Sequence, residues 1–294
     1  MLLITYMKYI KILRPWQLVK NFIIFIPLFF TSENFDLFFA TFEAFVYFSL
    51  LVSGTYVVND LIDYESDRTH PTKKNRPIAS KDIDKRSARI YSTILIFLGL
   101  ALLFNLNFQV FILSLIYLIS TIFYSVYGKN ITYIDTTLIS IFFLIRLFIG
   151  GYVINAKISI ALALFLYFTS FSIALAKKIS ILSDKNIVNE NITKIKLQKR
   201  YSLDTLINLI YYSSGLSVVT LIIWLTTTRY IYFDNLQVSS LFISIIFYSI
   251  FSIYLVEESK NGKMEDFVIG IIKNRHMSIL LFLTVTMFIL GYLT

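Results

Sequence analysis

The chain has 294 residues, of which 57% are hydrophobic and 15% charged, and it carries a formal net charge of +9. Its mean hydropathy of +0.72 excludes an ordinary soluble protein and predicts an integral membrane protein. The sequence contains no cysteine, which excludes disulfide bonds, thiolate metal sites and cysteine nucleophiles.

Nine apolar segments, each near the length that spans a bilayer as a helix, run through the chain. They are too long and too uniformly apolar for barrel strands, so we predict an all-α bundle of about nine transmembrane helices in one domain, residues 1–294. No small-residue cleavage site follows the first segment, which we expect to be retained as a helix. The segments are residues 17–32, 37–59, 89–106, 108–127, 132–153, 158–176, 205–227, 235–256 and 276–294.

The distribution of lysine and arginine predicts the orientation of these spans. If the amino terminus is cytoplasmic, the cytoplasmic intervals contain 24 of the 27 lysines and arginines, and only Lys157 and Arg229 fall on the other side, with Arg146 inside a span. The positive charge is then largely topological, and no recognisable motif accompanies it that would indicate nucleic acid. The cytoplasmic intervals are residues 1–20, 60–89, 128–131, 177–204 and 257–275.

Carboxylates are concentrated where the second span ends. Asp60, Asp63, Glu65 and Asp67 follow Asn59, and the spacing of four places Asn59, Asp63 and Asp67 near one helix face. Grouped oxygen ligands suit Mg2+, which takes one or two carboxylates and completes its shell with water and substrate phosphate. Along an unbroken helix the first and last of the three would lie roughly 12 Å apart, so either two metals bind or the helix end unwinds.

A basic loop follows the acidic residues directly. Its prolines prevent the helix from simply continuing. The positive-inside bias explains these bases as well as phosphate binding does, but it does not explain the carboxylates beside them. An acidic helix end next to a cationic loop indicates a divalent metal and a phosphate-bearing substrate at a membrane surface. The bases are Arg68, Lys73, Lys74 and Arg76, and the prolines are Pro71 and Pro77.

Isolated charges near or inside the spans each allow two interpretations. Lys20 either snorkels to the interface or contacts lipid phosphate, and Lys129 either orients the chain or binds phosphate. Arg146 lies in the middle of a span, where an ionisable residue usually faces the bundle interior with a partner. Asp135, on the same helix, is about 16 Å away along the axis, so we expect the two to bracket a common cavity and not to pair directly.

Three further features are predicted to be mainly structural or remain ambiguous. His70 is expected to shape its loop, and Gly150 with Gly151 to allow close helix packing. Bases and apolar residues alternate through 185–200, which is typical either of an amphipathic interfacial helix or of a solvated loop.

Together these residues resemble the UbiA-type prenyltransferase superfamily, and more narrowly its decaprenyl-phosphate phosphoribosyltransferase branch. The first acidic motif is followed by His70-Pro71, Lys73 and Arg76-Pro77, which match the branch pattern HPxKxxRPIA. The similarity runs nearly end to end. The other matching segments are Arg14 to Asn21 (RPWQLVKN), Tyr124 to Lys129 (YSVYGK), Asp135, Arg146, Gly150-Gly151 and the late pair Glu265-Asp266.

The resemblance implies a fold, a reaction and a set of roles. The helices would surround a central cavity open to the cytoplasm, in a cytoplasmic (inner) membrane. The reaction would transfer 5-phosphoribose from phosphoribosyl diphosphate to a polyprenyl phosphate, for synthesis of cell-envelope polysaccharide. Mg2+ would be held by Asn59, Asp63 and Asp67, with Asp60 as an extra ligand and the three aspartates catalytic. The expected phosphate-binding residues are Lys20, Lys73, Arg76, Tyr124, Lys129, Arg146, Lys177 and Lys178.

The second loop departs from the branch pattern. The usual Lys-Arg pair is Lys177-Lys178, and the usual glutamate position holds Ile181, with Asp184 and Glu190 as nearby substitutes. Lysine lacks the bidentate fork of arginine, and isoleucine cannot ligate a metal or a ribose hydroxyl.

Two other classes of function remain open from the sequence. The first is a UbiA-type prenyltransferase that joins an isoprenoid diphosphate to an aromatic or other small acceptor, which normally needs a second aspartate-rich motif. The second is a transporter or other non-catalytic membrane protein, in which buried charges mark a solute path. The sequence leaves the lipid chain length, the oligomeric state and the downstream glycan undetermined.

Overall fold

The computed structural model describes residues 8–30, 35–70, 73–184, 192–227 and 235–293, and every regular element in these ranges is helical. The predicted all-α class is therefore confirmed. Several residues named above lie outside the described ranges. They are Pro71, Glu190 and Arg229, together with residues 185–191 of the alternating basic segment.

The first of two compact units comprises Met1–Leu138 and Phe142–Ile158. It begins with a 3₁₀-helix over Pro15–Phe30 that contains Pro27, and this element is called the amino-terminal helix below. Two shorter 3₁₀ turns cover Lys73–Asn75 and Gly128–Asn130. The α-helices are α1 (Phe35–Ile62), α2 (Tyr64–Arg68), α3 (Lys85–Leu106), α4 (Phe108–Val126) and α5 (Ile134–Val153), of which residues 139–141 group with the second unit.

The second unit comprises Ile139–Ile141 and Ser159–Thr294. A chain of hydroxyl groups connects three of its helices. In this chain the Tyr248 OH lies 2.7 Å from Thr169 Oγ1 and donates to Ser217 Oγ at 2.9 Å. Hydrogen bonds of this kind help to fix helix pairs where no water competes. The helices of the unit are α6 (Ile160–Ser183), α7 (Ile192–Gln198), α8 (Leu203–Thr227), α9 (Asn235–Lys260), α10 (Phe267–Lys273) and α11 (Arg275–Leu293).

Local sequence sets several helix boundaries through side-chain caps. Asp84 accepts a hydrogen bond from the Ser87 amide at 2.6 Å at the start of α3. Asn107 ends α3 and begins α4, where its side chain accepts from Gln109 N at 2.8 Å. Such caps satisfy amide groups that have no partner within the helix. One asparagine therefore both ends α3 and caps the start of α4.

Seven helices in the described ranges are long and apolar enough to cross a membrane. The pair α10 and α11, bent by 103°, adds an eighth span if the two are taken together, and the apolar part of the amino-terminal helix is shorter. Large apolar side chains such as Phe97 and Ile160 remain exposed, as expected against lipid. The protein is thus a multi-pass membrane protein. Each of the nine predicted segments overlaps one helix, while the count of nine spans stays a prediction.

Candidate active site

The acidic motif lies at the junction of α1 and α2. Asp63 separates the two helices, yet its amide donates to Asn59 O at 2.9 Å and the Asp67 amide donates to Asp63 O at 2.9 Å. The interruption is thus confined to one residue, and helical hydrogen bonds continue across it. Of the two alternatives for this segment, unwinding of the helix end is not observed, so the binding of two metal ions remains as a prediction.

Asp60 and Asp67 are joined by one arginine. Asp60 is only 2% exposed, and its Oδ1 accepts from Arg76 Nη1 at 3.0 Å and also forms an ion pair with Arg14. The same Arg76 nitrogen donates to Asp67 Oδ2 at 2.6 Å. The basic loop predicted to bind phosphate therefore folds back onto the predicted metal ligands.

Asp63 has a different set of partners. Its Oδ1 forms an ion pair with Lys129, from the 3₁₀ turn after α4, and its Oδ2 accepts from Asn59 Nδ2 at 3.3 Å. The Asp63 side chain is 19% exposed and so is the most accessible of the three aspartates. The structure thereby brings together six predicted site residues, Asn59, Asp60, Asp63, Asp67, Arg76 and Lys129, from the acidic motif, the basic loop and the 3₁₀ turn after α4.

A small apolar core packs the segments that carry these ion pairs against one another. Ile12, Val57 and Ile78 are buried together, so the amino-terminal segment, α1 and the basic loop share one packing cluster. Lys11 also donates to the Asn75 carbonyl at 3.3 Å. His70 accepts from the Lys73 amide at 3.4 Å, which agrees with the predicted loop-shaping role.

Charge is balanced within the cluster. Three carboxylates, those of Asp60, Asp63 and Asp67, are matched by Arg14, Arg76 and Lys129. Burial lowers the pKa of the Arg14 guanidinium, and the Asp60 carboxylate opposes that shift.

The donor set fits Mg2+ by its chemistry. Asn59, Asp63 and Asp67 offer one amide and two carboxylates, and Mg2+ takes few protein carboxylates when substrate phosphates complete its shell. Because Asn59 donates to Asp63 through nitrogen, its amide oxygen is left for a cation. Within the described ranges no group of three or more His, Cys, Asp or Glu side chains is placed to hold a metal alone. The metal site stays a prediction that requires a phosphate ligand.

Arg146 lies apart from the acidic cluster, in α5. It is 3% exposed, its Nε donates to Asn21 Oδ1 at 2.8 Å and its Nη2 donates to Tyr117 OH at 3.2 Å. Asn21, also buried, donates to Ser49 Oγ at 2.9 Å. The prediction that Arg146 faces the interior with a partner is confirmed, and the partner comes from the amino-terminal helix. Asp135 accepts from the Thr136 amide at 2.7 Å.

We expect Arg146→Met to lower the free energy of unfolding by about 2 kcal/mol, because buried Asn21 loses its donor. Thermal unfolding in detergent measures the effect, with the exposed Arg89→Met on α3 as the control. If Arg146 acts only by binding phosphate, the variant will unfold like the control while its affinity for substrate falls.

Lys20 and Tyr124 also lie in the first unit but make other described contacts. Lys20 donates to Gln17 Oε1 at 2.6 Å, within its own helix. The ring of Tyr124 packs edge-on against Phe142, with 5.9 Å between the ring centres. Their predicted contacts with phosphate stay predictions.

The residues of the second loop belong to the second unit. Lys177 is exposed, whereas Lys178 is buried and donates to Tyr201 OH at 2.9 Å. Ile181 is also buried, so an apolar side chain packs where the branch pattern has glutamate. Lys194 donates to the Asp184 carbonyl at 2.7 Å from the short helix α7, which forms over part of the alternating basic segment.

Sequence reasoning missed two participants. In the sequence, Arg14 and Asn21 stand out only as parts of the RPWQLVKN segment, whereas the structure pairs them with Asp60 and Arg146. The signal for both was their place beside Lys20, in the segment that precedes an apolar span. Their partners lie far along the chain, so spacing alone did not reveal them.

A multi-pass helical membrane fold with an acidic helix end closed by basic residues defines a class of membrane-embedded transferase. Residues 22–268 match the UbiA prenyltransferase family, and the chain belongs to that family. The predicted superfamily is thereby confirmed.

Individual relatives agree with this placement. The chain is 30% identical over 175 residues to the decaprenyl-phosphate phosphoribosyltransferase of Mycolicibacterium smegmatis, covering 58% of this chain and 55% of that one. It is 28% identical over 178 residues to the nodulation protein NoeC of Azorhizobium caulinodans, covering 60% and 58%. Across the first curated relatives the match spans 33% to 58% of their length.

The fold is also similar to that of a UbiA homolog from Archaeoglobus fulgidus solved with DMAPP and Mg2+. The TM-score is 0.70 over 96% of this chain and 99% of the other. Because the sequences are only 15% identical, this likeness supports the fold alone.

Proposed function

We propose that the protein transfers 5-phosphoribose from phosphoribosyl diphosphate to the phosphate of a polyprenyl phosphate of the decaprenyl type. The observation that carries the proposal is the double contact of Arg76 with Asp60 and Asp67. It joins the basic segment, whose HPxKxxRP pattern resembles that of the phosphoribosyltransferase branch, to the acidic motif, which resembles that of the wider superfamily. Relatives with that activity in their names support the same reading.

The proposed chemistry breaks the bond between ribose C1 and a diphosphate oxygen and forms a bond from C1 to an oxygen of the lipid phosphate. When bound, Mg2+ would supply positive charge to the departing diphosphate. Asn59, Asp63 and Asp67 would hold Mg2+, divided between two ions because the helix end does not unwind. Arg76, Lys73 and Lys129 would donate to phosphate oxygens where charge develops. The lipid phosphate is already anionic, so the nucleophile needs no strong general base.

The proposed location is the cytoplasmic (inner) membrane, with the site on its cytoplasmic face. This orientation is supported by the concentration of lysine and arginine in the same intervals that carry the acidic motif and Lys129. A site there takes the soluble donor from water and the lipid from the bilayer. The product would be a lipid-linked pentose phosphate for the synthesis of an envelope polysaccharide.

One observation favours a second candidate, prenyl transfer to an aromatic or other small acceptor. Ile181 is packed in the apolar interior of the second unit, so this position cannot supply the carboxylate that the phosphoribosyltransferase branch usually has there. Against this candidate, the Lys177-Lys178 pair stands where a prenyltransferase normally has a second aspartate-rich motif.

A donor assay on the purified protein in detergent distinguishes the two candidates. Labelled phosphoribosyl diphosphate with polyprenyl phosphate is compared with a labelled isoprenoid diphosphate and aromatic acceptors, each with Mg2+ and with EDTA. We expect an EDTA-sensitive, lipid-linked phosphoribose. Prenylated acceptor without that product would overturn the proposal and assign the altered second loop to a change of substrate.

A further inference from the structure

Tyr64 is the first residue of α2 and directly follows the interruption at Asp63. Helical hydrogen bonds continue across that interruption, so residues three and four positions apart still share one face of the helix. Tyr64 follows Asp60 by four positions and precedes Asp67 by three, and all three side chains are buried. Along this face Tyr64 therefore lies between the two carboxylates that Arg76 joins.

The side chain of Tyr64 belongs to the small apolar core of the first unit. It is 8% exposed and shares that core with Val57 from α1, Ile78 from the basic loop and Ala88 from α3. A helix of five residues, such as α2, is too short to be stable alone. Its place therefore depends on contacts that its side chains make, and Tyr64 supplies the contact with the core.

Two cations lie over the ring of Tyr64. Lys85 Nζ, at the start of α3, is 3.5 Å from the ring centre, and the guanidinium carbon of Arg68 is 5.6 Å away. Glu65 pairs with both cations, but only at 3.6 and 3.8 Å and with 78% of its side chain exposed. A cation over an aromatic face is attracted by the ring itself. Apolar packing and two charged side chains, one from α2 and one from α3, thus hold the ring in place.

We infer that Tyr64, held by Lys85, is a positioning residue that keeps α2 in line with α1 across the interruption. Asp63 precedes Tyr64 directly and Asp67 follows it by almost one turn, so a shift of the ring moves both carboxylates. Tyr64 acts through these aspartates and not on the substrate. The inference rests on the proposed function, in which Asp63 and Asp67 hold Mg2+, and it adds an aromatic residue and a lysine to the parts that determine metal binding.

Tyr64→Leu tests the positioning role, because leucine keeps an apolar side chain in the core but offers no aromatic face to Lys85 and Arg68. Calorimetric titration of inorganic diphosphate into the full-length protein in detergent, at a series of Mg2+ concentrations, measures metal-dependent binding without turnover. We expect the Mg2+ concentration for half-maximal binding to rise roughly tenfold, the lower end of the effect of losing a residue that orients metal ligands. Tyr64→Phe keeps the ring, and we expect a value near that of the unsubstituted protein.

Lys85→Met tests the contribution of the cation. We expect the same Mg2+ concentration to rise about two- to fivefold, the change that corresponds to one exposed cation–π contact. In the double variant Tyr64→Leu/Lys85→Met the second substitution should add nothing, because the ring on which Lys85 acts is gone. Effects that simply add would overturn the inference that Lys85 acts through Tyr64. Glu65→Gln removes the ion pair of Lys85 but leaves the ring, and we expect no change from it.

Tyr91→Leu is the matched control, since Tyr91 packs against the same apolar core but lies on α3. We expect this variant to lower the midpoint of thermal unfolding and to leave the Mg2+ concentration for half-maximal binding unchanged. The same behaviour in Tyr64→Leu would overturn the inference, because Tyr64 would then serve stability alone. Diphosphate binding that does not depend on Mg2+ in the unsubstituted protein would overturn it as well. If the unsubstituted protein transfers no phosphoribose, the proposed function fails, while calorimetry still decides the role of Tyr64.

Discussion

Asp63→Asn is expected to reduce phosphoribosyl transfer at least about a hundredfold, the scale of losing one electrostatic contact to the transition state. The substitution keeps the shape of the side chain and removes the charge that would hold Mg2+. The folded state should tolerate it, because Asp63 is the most exposed of the three aspartates and the side chain of its partner Lys129 is 27% exposed. Asn59 can still donate to the remaining amide oxygen.

Asp67→Asn is expected to have a similar effect on transfer for the same reason. Arg76 retains its contact with Asp60 at 3.0 Å, so the partly exposed guanidinium keeps a charged partner and the basic loop keeps its place. Transfer rates, diphosphate-dependent Mg2+ binding and thermal unfolding should be measured on each variant. Both variants should lose metal binding and activity together while unfolding near the temperature of the unsubstituted protein.

Glu65→Gln provides the matched control for these two variants. Its side chain is 78% exposed, and it pairs only at a distance with Arg68 and Lys85, at 3.8 and 3.6 Å. Surface ion pairs of this kind contribute little to stability or to chemistry. We expect normal transfer from this variant. Turnover retained in both Asp63→Asn and Asp67→Asn would exclude the metal role of the acidic motif.

The class of fold can be predicted from the sequence, because a chain that spans a lipid bilayer needs long apolar helices. The composition and the apolar segments show these helices directly. The sequence also located the acidic helix end, since the spacing of Asn59, Asp63 and Asp67 is a local property of one helix. It did not locate the partners of those carboxylates. The pairs Asp60–Arg14 and Asp63–Lys129 join residues 46 and 66 positions apart, and only the packing of the helices brings them together.

The partner of Arg146 could not be predicted from the sequence for the same reason. The position of Arg146 inside a span predicted a buried partner, but the partner, Asn21, lies 125 positions away. The 3₁₀ form of the amino-terminal helix differs from the α-helix that the apolar segment predicts. Pro27 lies inside that stretch and cannot donate a backbone hydrogen bond, which removes one α-helical bond from it.

Gly150→Ala is expected to lower the free energy of unfolding by about 3 kcal/mol or more, at the upper end of the cost of overpacking a core. A Cβ at this position would lie 2.0 Å from the Ile24 carbonyl oxygen and 3.1 Å from Pro27 Cδ. The obstacle is backbone, which cannot turn aside as a side chain can. The close packing predicted for Gly150 is thus an approach of α5 to the amino-terminal helix.

The amino-terminal helix carries Asn21, one turn before Ile24, and α5 carries Arg146, one turn before Gly150. Separation of the two helices would therefore also break the bond from Arg146 to Asn21, which makes the cost of Gly150→Ala larger than the steric clash alone. Gly215→Ala is the control, since its Cβ would meet nothing within 4 Å and alanine is the better helix former. Thermal unfolding in detergent compares the two. Equal stability of both variants would contradict the close approach of α5 to the amino-terminal helix.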